Sequence, residues 1–283
     1  MKLPVFASLK GLTLALTLVS SFAITFHSLP SIAALELRDL SQEDFDKVIR
    51  EVSANTSLHS VTAPSSLGSI FGFELGVVGG LTRTPEIDAL AKEASSSAEL
   101  KNLPHAALIG AVTVPGGITA EVMFLPKISA QGLDYQQYAA AVKWTLTDHV
   151  IPLPVNIAAR GFMAKSEFSF KQVMNDPVLG TPVDTLITSD NTVMGAQLLV
   201  SPKLIPIIEP YIGVGYVSAK GKMNVSGNAR LFDFTNNQSA ESQPTSSQLL
   251  VGADIRLLLI GIGAEYTRAF GTDSVTAKFS LKF

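Results

Sequence analysis

DSVTAKFSLKF, residues 273–283, sorts its side chains by parity. Val275, Ala277, Phe279, Leu281 and Phe283 alternate with Ser274, Thr276, Lys278, Ser280 and Lys282. The first set is apolar and the second polar. Successive side chains of a strand point to opposite faces, so the stretch reads as a β-strand with two chemically different sides. Its length is that of the roughly nine to eleven residues with which a tilted strand crosses a bilayer.

The same alternation recurs upstream, interrupted by breaks. It predicts strands near 70–81, 105–114, 118–127, 134–147, 154–166, 189–201, 207–219, 247–258, 259–269 and 273–283. The connections fall into two classes. One rim has short breaks (115–117, 148–153, 202–206, 258–259), and the other has mostly long ones (82–104, 128–133, 167–188, 220–246, with a short one at 270–272). Short periplasmic turns, long external loops and an even strand number are the pattern of a transmembrane barrel. The expected fold is all-β, an antiparallel up-and-down barrel of about ten strands, eight to twelve, after one short helix.

A soluble barrel alternates too, with its apolar face inward. The charges choose between the two. One parity runs Phe73, Leu75, Val122, Phe124, Val142, Trp144, Leu198, Val214, Val251 and Ile262 with no mid-strand charge. The other carries Glu74, Glu121, Lys143, Arg160, Glu209, Asp254, Arg256, Glu265 and Lys278. A charge at the lipid-facing midplane costs a few kcal/mol, whereas a polar lumen accepts it. The apolar face is therefore assigned to lipid. Phe71, Phe124, Tyr138, Trp144, Tyr216, Tyr266 and Phe270 stand near strand ends, as aromatic girdles do.

The closing strand with its terminal Phe resembles that of bacterial outer-membrane β-barrels. That resemblance implies that Val275, Ala277, Phe279, Leu281 and Phe283 are read by the barrel-insertion machinery. PYIGVGY, residues 210–216, is similar to a strand of small outer-membrane barrels, and APSSLG…FGFELG, from Ala63 to Gly76, resembles the opening of an uncharacterised exported-barrel family. Neither motif implies an activity.

Composition excludes several classes. Among 283 residues, 47% are hydrophobic and 16% charged, yet beyond residue 30 no apolar run is long enough for a spanning helix. A net charge of -3 without a basic stripe argues against nucleic acid as a partner. With no Cys there is no disulfide, thiol chemistry or Cys-ligated zinc. No metal cluster or phosphate loop is present, and no cofactor is expected.

Residues 1–34 read as an export signal. Lys2 and Lys10 precede an apolar stretch from Gly11 to Phe26, and Ser31-Ile32-Ala33-Ala34 offers small residues for cleavage. Residues 35–69 are expected to be a periplasmic helix and linker, and 70–283 the barrel. In the helix, Ser41 and Asp44 form a capping box and Phe45, Val48, Ile49 and Val52 share one stripe. This helix is read as a lumen plug, a rim contact or an arm. Residues 54–69, rich in Ser, Thr, Asn, Pro and Gly, read as a linker.

The expected function is that of a non-enzymatic integral outer-membrane protein of a Gram-negative bacterium, with a polar, largely filled lumen. It would serve a structural or interaction role, or a narrow passage. Glu74 is expected to face Lys278, and Glu121 to face Lys143. Lys165 and Arg268 lie at outer strand ends, at the level of lipid head groups and lipopolysaccharide. The loop 220–246 carries Leu231, Phe232 and Phe234 as a surface for a partner. One alternative is a transporter or porin for small or amphipathic solutes, gated by the N-terminal helix. Another is a surface lipid hydrolase or protease using His105, beside Ser95, Ser96, Ser97 and Glu99; His27, His59 and His149 lie elsewhere.

Overall fold

A computed structural model describes residues 41–68, 70–94, 99–130, 133–147, 153–175, 182–203, 207–227 and 238–283. The export segment, Ser95 to Ser97, His149, and Leu231, Phe232 and Phe234 lie outside the described residues.

Strands β1 (Gly72–Arg83), β2 (Asn102–Val114), β3 (Ile118–Ala130), β4 (Leu133–Thr145), β5 (Val155–Asn175), β6 (Pro182–Pro202) and β7 (Ile208–Gly227) pair in sequence order. β7 then pairs with β9 (Thr245–Leu257), which is followed by β10 (Ile260–Ala269) and β11 (Thr272–Lys282). β11 returns antiparallel to β1, so ten strands close a barrel. An extra strand, β8 (Gln238–Ser242), continues the β9 edge along β7 beyond a break at Pro244.

The parity assigned from sequence is the one observed. Leu75, Val122, Val142, Val214, Ile262 and Leu281 are exposed on the outer face, while Glu74, Glu121, Lys143 and Glu265 are buried inside. From Phe71 to Leu81 the outward apolar band of β1 spans about ten steps of ~3.3 Å, which at a tilt of ~40° is roughly 25 Å. Phe71, Trp144 and Phe283 are exposed at the short-turn rim, and Phe124, Tyr138 and Tyr216 at the higher level. Phe270 departs from this arrangement. It occupies the β10–β11 turn with φ 55°, followed by Gly271 with φ 85°, the two positive values that a type I′ hairpin needs. The turn breaks the alternation and swings the ring inward, where it is 5% exposed, so Phe270 belongs to the interior and not to the girdle.

Three strands exceed their expected length. β5 and β6 have 21 residues each and β7 has 20, so the stretches 167–188 and 220–246 contain strand as well as loop. Hydrophobic alternation fades where a strand leaves the apolar band, although backbone pairing continues. The result is a wall standing above one side of the mouth. At its base, outward Lys165 lies 2.6 Å from Glu167 and 3.8 Å from Asp190.

Helix α1 (Gln42–Thr56) begins at Ser41, whose Oγ accepts from Asp44 N at 3.1 Å. Its location corrects the sequence reading. It lies at the rim of long connections against β6, β7, β8 and β11, and not at the short-turn rim. A second helix, α2 (Pro85–Ala94), occupies the β1–β2 connection that was expected to be loop. Pro85 at its first turn, Glu86 and Asp88 beside it and Lys92 at its end are ordinary helix signals.

Candidate functional site: a lumen filled by the N-terminal segment

Residues 57–68 are not a solvated linker. They run from the end of α1 through the lumen to the start of β1, and Ser57, Leu58, His59, Ser60, Val61, Thr62 and Ala63 are all at most 3% exposed. A ten-strand barrel is slightly wider than the eight-strand case that side chains alone fill. Here the remaining space takes one extended chain. Two glycines make room for the N-terminal segment, one for α1 and one for the extended chain. A Cβ at Gly221 would stand 2.6 Å from Ile49, and one at Gly263 would stand 2.9 Å from Val61.

At the mouth, the Glu51 carboxylate accepts from Glu86 N at 2.8 Å and Ile87 N at 2.9 Å, tying α1 to the N-terminus of α2. Burial raises the Glu51 carboxyl above its ordinary value, against the lowering effect of those two amide bonds. Below lies an apolar layer in which Leu58 and Val61 pack with Ile109, Met123, Phe162, Val193 and Val217.

The lower half is polar. Lys143 Nζ donates to Ala63 O at 2.6 Å and Ser65 O at 3.0 Å, and Thr145 Oγ1 to Pro64 O at 2.7 Å. Glu209 accepts from Ser65 N at 3.1 Å, Asn156 Nδ2 at 3.0 Å and Ser201 Oγ at 2.6 Å. Leu67 N donates to Thr113 Oγ1 at 3.2 Å, and Arg256 reaches Leu67 O at 3.5 Å. The wall thus supplies partners for the backbone groups of a chain that makes no ladder of its own, as burial of backbone requires.

The expected pairs divide. Glu74 and Lys278 meet at 2.8 Å inside the seam. Glu121 and Lys143 share the interior but do not bond. Lys143 turns to the plug carbonyls, while Glu121 accepts from Ser60 Oγ at 2.8 Å and approaches Arg160 at 3.5 Å. The plug therefore intercepts a contact drawn for an empty lumen. Arg160 Nε donates to Gln197 Oε1, whose Nε2 in turn donates to Gln248 Oε1 at 2.7 Å. Tyr211 donates to Glu265 at 2.8 Å. Asp254 lies 3.2 Å from Lys278 and also binds Lys282.

Lys282 was missing from the expected network. It lies two residues beyond Ser280 and four beyond Lys278 on the same face, so parity alone places it inside. With it, Lys143, Arg160, Arg256, Lys278 and Lys282 match Glu74, Glu121, Glu209, Asp254 and Glu265 in number. The wall thus carries five bases and five acids; Glu74, Asp254, Lys278 and Lys282 are ion-paired, as are Glu121 and Arg160, while Lys143, Arg256, Glu209 and Glu265 are held by neutral hydrogen-bonding groups. Among the described residues, Glu121 Oε1, Arg160 Nη2, Gln248 Nε2, Asp254 Oδ1 and Ser66 Oγ have no hydrogen-bond partner.

Val275, Leu281 and Phe283 are exposed on the outer face of β11, with Ala277 and Phe279 on the same parity. Tyr266 points outward and donates to Asp273 at 2.6 Å. Arg268, also outward, lies 3.6 Å from Asp273. His105 is not at the surface; it is 3% exposed in the lumen, stacked on His59. No group of three or more metal-ligating side chains occurs among the described residues.

A family model described as "Family of unknown function (DUF6588)" matches residues 21–283. No curated protein matches the chain. Solved structures that resemble it include the attachment invasion locus protein Ail of Yersinia pestis, at 10% identity over 75% of this chain and 97% of that one, with a TM-score of 0.33. An outer-membrane channel of Pseudomonas putida F1 gives 8% identity, 80% and 99% coverage and a TM-score of 0.34. The translocator domain of the autotransporter NalP of Neisseria meningitidis gives 10%, 76% and 89%, and 0.37. At such identities and scores, no property of those proteins is carried over to this chain.

Proposed function

We propose that this chain, a member of the DUF6588 family, is an integral outer-membrane barrel occluded by its own N-terminal segment. It passes small solutes only when that segment moves, and it performs no catalysis. The observation that carries this reading is the course of residues 57–68 through the lumen, with their carbonyls held by Lys143 and Thr145. The apolar outer band supports a membrane location, and the export signal read at residues 1–34 supports delivery to the outer membrane. The long connections then face outward and the short turns face the periplasm.

Two features favour a movable plug over a permanent core. Val61 adopts φ 51°, a left-handed conformation that costs a β-branched residue on the order of 1–3 kcal/mol and persists only under surrounding constraint. At Ser60 the plug also meets Glu121 and Arg160 through a single hydroxyl, and those two wall residues are paired with each other independently of it. The catalytic alternative has little support, because His105 is sealed beneath α1 among Thr82, Asn55 and Thr276.

A disulfide lock tests the reading. The chain has no native Cys, so V61C/G263C gives a single cross-link between plug and wall. The oxidised protein is expected to be electrically silent in planar bilayers, with discrete openings appearing after reduction. Equal conductance in both states would reject occlusion by this segment.

A further inference from the structure

His59 on the plug and His105 on β2 lie face to face, with ring centroids 4.1 Å apart and planes at 11°. Their hydrogen bonds assign the protons. Ala54 O can only accept, so His59 Nε2, 3.1 Å away, carries a hydrogen. His59 Nδ1 is then bare and accepts from Thr276 Oγ1 at 3.4 Å. Thr276 has one proton to give, so its oxygen accepts from His105 Nε2 at 2.8 Å. His105 Nδ1 is left bare, 3.5 Å from Asn55 Nδ2 and 3.5 Å from Thr82 Oγ1. Every contact is satisfied by two neutral rings.

Among the described residues no carboxylate accepts from either ring; on β3, Glu121 is engaged by Ser60 and Arg160. On α1, Asn55 faces the pair, and Glu51 is committed to α2. On β1, Thr82 faces it and Gly80 lies against His105, while Glu74 further along is held by Lys278 and Ser280. On β11, Thr276 and Ser274 line the site and Lys278 is engaged by Glu74 and Asp254. On β10, Glu265 stands across from Thr276 in register, but Tyr211 and Thr267 occupy its oxygens. Two imidazolium rings would therefore face each other among neutral hydroxyl and amide groups with no counter-charge.

We propose that the His59–His105 stack is an acid-responsive latch: protonation of the pair drives segment 57–68 off the barrel wall and opens the lumen to small ions. This rests on the reading of that segment as a movable plug. One ring belongs to each side of the interface, so mutual repulsion acts along the direction of release. In neutral solution the stacked rings hold the plug, and on acidification the same contact expels it.

The test is potassium efflux from liposomes holding the full-length protein at about pH 7.5 and about pH 5, either side of the ordinary histidine value of about 6.5. The wild-type protein is expected to release potassium roughly tenfold faster at the lower pH, as a shift of about one unit in the closing equilibrium gives. His59→Gln and His105→Gln keep hydrogen-bonding groups but cannot charge, and each is expected to be slow at both pH values. Heat-modifiable migration reports that each variant is folded, and because the two residues lie on different elements either variant alone decides the outcome. A wild-type protein indifferent to pH, or acceleration that persists in the folded Gln variants, overturns the latch. In oxidised V61C/G263C, acid is expected to have no effect until reductant is added. Acceleration in the locked protein would mean a path that bypasses the plug, and the occlusion reading would then fail instead of the latch.

Discussion

Lys278 Nζ on the last strand lies 2.8 Å from Glu74 Oε1 on the first, so a buried ion pair bridges the seam where the barrel closes. Lys282 Nζ, 3.8 Å from the same carboxylate oxygen, and Asp254, bound to both lysines, complete a four-residue cluster. Removing one member of a buried pair leaves an uncompensated charge, at a cost of about 3–5 kcal/mol. Glu74→Gln is expected to lower the unfolding free energy of the heat-modifiable form, taken from urea titration, by an amount in that range, with the midpoint falling accordingly. A midpoint within error of wild type would mean that the cluster is solvated and not buried.

Glu43 on α1 and Leu258 in the β9–β10 turn lie at opposite ends of the barrel, with side-chain exposure of 80% for Glu43 and residue exposure of 96% for Leu258. In intact cells, Glu43→Cys is expected to react with a membrane-impermeant maleimide, and Leu258→Cys only after permeabilisation. Without native cysteines the background is clean. The reverse pattern would invert the orientation, and silence at Glu43→Cys alone would remove α1 from the outer mouth.

Gly221 faces Ile49 across the interface between α1 and β7. Adding a side chain there overpacks the contact, which typically costs about 1–3 kcal/mol. Gly221→Val should loosen α1 without opening the strands. Trypsin should then cut at Lys47 or Arg50 severalfold faster, an increase expected of a locally unfolding element. Unchanged cleavage would show that α1 does not depend on this contact.

On the projecting wall, hydrogen bonds from Lys220, Gln243 and Lys222 hold the Glu241 carboxyl down to about 2. Its folded value lies below the ordinary 4.5, so the stabilisation is present above that value and is lost as pH falls toward 2. Hydrogen exchange of the β7–β8 amides should therefore lose protection between these limits, beyond the intrinsic pH effect. Glu241→Gln should remove that dependence while leaving β9–β10 unaffected.

The barrel was legible because period-two alternation reports which side of a strand meets lipid, and lipid punishes errors. The ion pair of Glu74 with Lys278 followed from strand order and parity. Where that constraint ended, so did legibility. β5 to β7 continue beyond the apolar band with polar residues on both faces, and α2 was overlooked because a long connection invites a loop. The largest miss was residues 57–68. A Ser-, Thr- and Pro-rich stretch suits water, but it suits a polar lumen equally, and composition does not tell the two apart. The Glu121–Lys143 contact failed for the same reason, since the plug supplies carbonyls that bind Lys143 first.

Single-channel conductance of the full-length protein against a variant lacking residues 41–66 tests occlusion most directly, with heat-modifiable migration confirming that both fold. Deletion removes α1 and the carbonyls that Lys143 and Thr145 bind, leaving β1 to β11 intact. At neutral pH the full-length barrel is expected to be closed apart from rare openings and the deletion variant to show stable, uniform steps. Equal steps in both, or a folded deletion variant that stays silent, would contradict the claim that the N-terminal segment closes this lumen.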